Sequence, residues 1–76
     1  MFEEHSQVVL KSPLPTLRLE PGDVGVIVHV HGHGEAYEVE FMTFDGRTIG
    51  VETVQADDLR AASGAAVPHE RERAAA

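Results

Sequence analysis

Two alternating apolar segments joined by a glycine-rich turn constrain this chain more than any other feature. From Val24 to His31 the sequence places Val26, Val28 and Val30 on one side of a strand and Ile27, His29 and His31 on the other. Gly32, His33, Gly34 and Glu35 make the connection, and Ala36 to Thr43 follows with Tyr37, Val39 and Phe41 as its apolar set. Setting His31 opposite Ala36 pairs Val30 with Tyr37, His29 with Glu38, Val28 with Val39, Ile27 with Glu40 and Val26 with Phe41. Apolar then faces apolar on one side of the hairpin, so the valines are expected in the core.

The flanking segments read as further short strands. Gln7 to Lys11 is an apolar, β-branched run stopped by Pro13 and Pro15, which cannot continue a ladder. Leu17 and Leu19 alternate with Arg18 and Glu20 in a partly anchored, extended loop that ends in the Pro21-Gly22-Asp23 turn. Asp45-Gly46 marks the next turn, and a strand follows from Thr48 to about Val54. A two-residue turn would set Phe41 opposite Gly50 and Val39 opposite Glu52, spending core positions on glycine and glutamate. A loop of three to five residues, with Gly46 at a bulge, is expected to bring Phe41 to Ile49 and Val39 to Val51 instead. The stretch from Gln55 to Arg60 is too short for a stable helix and predicts one 3₁₀ turn feeding a last strand, with Leu59 closing the core.

The predicted architecture is all-β: a small five-stranded SH3-like barrel over residues 1–60, with a flexible alanine-rich tail over 61–76. The main competitor is an OB-type barrel, which places a longer helix where this chain has only Phe44-Asp45-Gly46. A chain of 76 residues is one domain at most, and one so short buries only about 60 % of its unfolded surface. It contains no cysteine, so apolar packing has to supply the stability without disulfides or thiolate zinc. The N-terminus shows no basic and apolar leader pattern, and no apolar run approaches the roughly 20 residues that span a bilayer, so a cytoplasmic location is expected.

Formal charge is −7, and residues 1–60 carry all of it, because Glu70, Arg71, Glu72 and Arg73 cancel in the tail. Nucleic-acid binders gain affinity from lysines and arginines that displace counterions. Here the body offers only Lys11, Arg18, Arg47 and Arg60 against eleven carboxylates. DNA and RNA are therefore not the expected partners.

A set of residues also resembles a known family: Gly22-Asp23-Val24-Gly25, Val28-His29-Val30, Tyr37-Glu38-Val39-Glu40-Phe41, Asp45-Gly46, Thr48, Thr53 and Asp58-Leu59-Arg60. The pattern is similar to a widespread group of small bacterial proteins classed as a domain of unknown function, with an SH3-like or nitrile-hydratase-β-like barrel. It covers roughly residues 5–60 and leaves the tail out. The resemblance implies a fold without an assigned activity, and an accessory or antitoxin-like protein encoded beside a larger partner.

Chemistry is sparse. His29, His31 and His33 form the one cluster with metal-ligating potential, with Glu38 opposite His29 as a further ligand or acceptor; the plainer reading is a solvated face. Glu38, Glu40 and Glu52 form an acidic stripe, but acid–base work needs burial or crowding to separate carboxyl pKa values, and an open sheet face supplies neither. No serine has a base placed beside it by motif, and nothing calls for a cofactor. What remains is a contact patch of Ile27, Met42, Phe44 and Ile49 beside Glu38 and Glu40. The expectation is a non-catalytic interaction module, with a larger, basic protein as its partner.

Overall fold

The computed structural model describes residues 1–73; the last three residues of the expected tail lie outside the described residues. Five antiparallel strands form one sheet: β1 (Gln7–Leu10), β2 (Val24–His31), β3 (Ala36–Met42), β4 (Thr48–Gln55) and β5 (Leu59–Ala61), in the order β4-β3-β2-β1-β5. Among the described residues two 3₁₀ turns complete the regular structure, one at Pro15–Leu17 and one at Ala56–Asp58. The second leads directly into β5, as its sequence implies. Among the described residues no helix is long and apolar enough to cross a membrane.

The β2–β3 hairpin follows the expected register for its first half only. His31 pairs with Ala36, Val30 with Tyr37 and His29 with Glu38; then a bulge intervenes, and Ile27 pairs with Val39 and Val26 with Glu40. Val28 is the surplus residue. A bulge reverses the facing of everything beyond it, so Ile27 is fully buried while Val28 is 36 % exposed. The expected burial of Val26 and Val28 is thereby corrected: Val26 is half-buried and Val28 exposed. Gly25 also turns inward, where a Cβ would stand 2.5 Å from Val39 Cγ1 and 2.8 Å from Phe41 Cε1. The absent side chain is what lets the Phe41 ring lie across β2.

The β3–β4 hairpin departs from the expected register. Phe41 pairs with Gly50, Val39 with Glu52 and Glu40 with Val51, so Val51 is exposed rather than buried. The loop is of the expected kind. Gly46 N–H donates to Thr43 O at 3.0 Å and Thr43 N–H to Arg47 O at 2.9 Å, with Gly46 at φ 87°, a conformation that glycine adopts without strain. The irregularity falls further on, between Phe41 and Met42, opposite Ile49.

That register wastes nothing, because the 11–23 loop fills the space over β4. Leu14 and Leu19 form an isolated bridge around the Pro15–Leu17 turn. Leu17 lies so close to Gly50 that a Cβ there would meet Leu17 Cδ2 at 2.7 Å. Beside it the Thr16 hydroxyl donates to Glu52 Oε1 at 3.0 Å. Leu19 joins Val8, Leu10, Ile27, Tyr37, Val39, Phe41, Val54 and Leu59 in the core, with Leu14, Leu17, Val30 and Ile49 half-buried against it. The loop is thus curled rather than extended. Tyr37 is buried, and its hydroxyl accepts the Phe2 N–H at 3.0 Å, which satisfies the polar end of the ring and ties down the N-terminus.

In urea denaturation, Ile27→Ala is expected to cost about 2–5 kcal/mol, as core truncations do. Gly25→Ala should cost about 1–3 kcal/mol through overpacking. Val28→Ala should stay under about 1 kcal/mol, as solvent-facing substitutions do. Equal losses at residues 27 and 28 would overturn the bulge assignment.

Candidate functional site

The outer face of β2, β3 and β4 gathers most of the polar chemistry of the sheet. Alternation along β3 sends Glu38, Glu40 and Met42 outward while Tyr37, Val39 and Phe41 fill the core. Cross-strand pairing then sets Val26, Glu40 and Val51 in one row and His29, Glu38 and Thr53 in the next. Both carboxylates are oriented by hydroxyls of β4: Thr48 Oγ1 donates to Glu40 Oε2 at 2.8 Å, and Thr53 Oγ1 donates to Glu38 Oε2. His31 Nε2 lies 2.7 Å from the same Glu38 oxygen. The Glu38 carboxyl is held below its ordinary value, first by the Thr53 hydroxyl and then by the His31 contact.

The residues singled out from sequence divide sharply. Glu38, Glu40 and Met42 share the outer face, and Phe44 stands at the hairpin tip, 86 % exposed. Ile49 is half-buried against the core and lends only its edge to the surface. Ile27 is corrected outright: the bulge places it inside, in contact with the core cluster. Val24, Val28 and Val51, expected inside or unassigned, are exposed and enlarge the apolar part of the face.

The histidines are exposed, with the His29 and His31 rings edge-to-face at 4.8 Å. His33 sits in the β2–β3 turn, where its backbone N–H donates to Glu35 Oε2 at 2.8 Å. Among the described residues no group of three histidine, aspartate or glutamate side chains is disposed to hold one metal ion. His31 instead spends its Nε2 on Glu38.

A feature with no warning in the sequence lies at the start of β2. The tail after β5 returns to the sheet, and Arg71 pairs with Asp23 while reaching Glu20 at 3.5 Å. Arg73 Nη2 donates to the Leu17 carbonyl at 3.1 Å. The alternating charges of residues 70–73 look self-cancelling, and nothing in a linear reading names Asp23 as a partner 48 residues away.

All five strands fall within residues 4–61, and that span matches the model of a family described as a domain of unknown function, DUF4926. The chain belongs to the DUF4926 family. No curated protein and no solved structure matches it. The DUF4926 match ends at the last residue of β5, so Arg71 and Arg73 lie outside it.

An NMR titration should find the Glu38 carboxyl protonating below its ordinary value of 4.5. Thr53→Val should move it back toward that value, and His31→Gln should do so by less. A depressed carboxyl contributes stability above its unfolded value and loses it as pH falls through the folded one. The stability difference between wild type and Thr53→Val should therefore narrow as pH drops below 4.5. A difference that widens on acidification would contradict the contact.

Proposed function

We propose that this DUF4926 chain is a non-catalytic accessory module, built as an SH3-like barrel, whose outer sheet face binds a basic surface of a larger protein. The observation that carries this reading is the composition of that face. Val24, Val28, Met42 and Val51 are each more than a third exposed, and they are interleaved with Glu38 and Glu40, whose carboxylates are fixed by Thr53 and Thr48. Apolar groups supply the desolvated centre of a contact, and a rim of one charge sign selects the partner and speeds its arrival. Preset carboxylates lose little freedom on binding.

Strand order and the 3₁₀ turn before β5 support the SH3-like description. The net charge of −7 supports a basic protein over nucleic acid.

Capture of a partner from the source cell, followed by binding kinetics, tests the assignment. Glu38→Lys with Glu40→Lys should slow association about tenfold and weaken its salt dependence. Met42→Ser with Val51→Ser should leave association nearly unchanged and speed dissociation about tenfold. Circular dichroism must show each pair folded. Unaltered capture by both pairs, or binding of single-stranded RNA at physiological salt, would show that this face is not the interface.

A further inference from the structure

The tail contact at Asp23 has the form of a receptor with its ligand in place. Arg71 Nε donates to Asp23 Oδ1 at 3.2 Å while Nη2 donates to Oδ2, and Nη1 lies 3.5 Å from Glu20 Oε2. This is a two-point guanidinium–carboxylate pair with a second acid flanking it, a geometry that arginine satisfies and lysine does not. The receptor is built by the turn rather than by the tail. Asp23 N–H donates to Glu20 O at 3.1 Å, and the Glu20 N–H donates back to Asp23 Oδ2 at 2.8 Å, so the carboxylate is aimed before any arginine arrives. Only 22 % of the Asp23 side chain is exposed.

The tail also lies where a partner would sit. One open groove is lined both by residues of the tail, Ala66 to Arg73, and by Val24, Met42, Phe44 and Ile49. The tail therefore borders the same apolar patch that the proposed interface uses.

We propose that Asp23 and Glu20 form an arginine-binding subsite for the basic partner, and that Arg71 occupies it in cis as a displaceable stand-in. The proposal rests on the protein-binding reading above and names the side chain recognised. A partly exposed ion pair is a weak contact, so the tail holds the site chiefly because its tether keeps Arg71 nearby. A partner segment that carries arginine and also covers Met42 and Val24 makes contacts the tail does not, and so displaces it.

The test uses the full chain, ¹⁵N-labelled, as wild type and as Arg71→Ala with Arg73→Ala. The probe is a synthetic peptide of residues 66–76, compared with the same peptide carrying lysine in place of both arginines. In the double variant the amides of Glu20, Gly22 and Asp23 should shift saturably with the arginine peptide. Its affinity should be about threefold or more above that of wild type, where the tethered Arg71 competes. The lysine peptide should bind about threefold or more weakly than the arginine peptide.

Adding Asp23→Asn should abolish these shifts; if that variant misfolds, Glu20→Gln should weaken binding while the spectrum stays folded. Equal affinity in wild type and double variant, equal binding of the lysine peptide, or shifts elsewhere on the sheet would each overturn the subsite. A partner whose capture is lost with the Glu38 and Glu40 reversals but untouched by Asp23→Asn or Glu20→Gln would sink the arginine subsite and leave the outer-face interface standing.

Discussion

Much of this structure depends on the surplus residue in β2. By holding Val28 out of the ladder, the sheet turns Ile27 and Gly25 toward the core and leaves the valines at 24 and 26 on the other side. The exchange is favourable because isoleucine buries more apolar surface than valine, while Gly25 makes room for a phenylalanine from the adjacent strand. The same step exposes Val24 and Val28. A packing decision inside the sheet thus determines how apolar its outer surface is.

The second dependence is on a loop. A five-stranded sheet of this length cannot cover its own inner face, and opposite Phe41, Val39 and Tyr37 the β4 strand sets Gly50, Glu52 and Val54, with Ile49 half-buried at its start. The 11–23 segment completes the core with Leu17 and Leu19 and gives Glu52 a hydroxyl partner in Thr16. Its far end, the Glu20–Asp23 turn, is held to β1 by Gly22 N–H donating to Leu10 O at 2.9 Å and Leu10 N–H to Asp23 O at 2.9 Å. Anchoring the loop for packing therefore also fixes the acidic turn that Arg71 meets.

The elements themselves were legible in the sequence. The all-β class, the five strands, the 3₁₀ turn before β5 and the loop around Gly46 follow from alternation, prolines and turn residues. The facing of β2 was not legible, because both of its sides are apolar. Val24, Val26 and Val28 compete with Gly25 and Ile27, and period-two reasoning has no way to choose between them. The β3–β4 register is hidden for a related reason: strand residues alone do not show it, because the groups that cover Gly50 and Glu52 come from Leu17 and Thr16, more than thirty residues earlier. Of the site, Glu38, Glu40 and Met42 were visible because β3 alternates cleanly, whereas the Asp23–Arg71 pair is purely tertiary.

The strand order carries one more consequence, for how the chain assembles. β2, β3 and β4 are joined by short turns and pair with their neighbours in sequence, so each hairpin closes a small loop. The seam between β1 and β5 joins Val8 to Ala61 and encloses nearly the whole domain. Loop-closure entropy rises with the length enclosed, so the meander is the local half of folding and this seam the global half. One of the two ladders of β1 thus waits on the last three residues of the sheet. During synthesis the core stays open along β1 until Leu59–Ala61 has left the ribosome, and a chain truncated before that point keeps Val8 and Leu10 beside an empty edge.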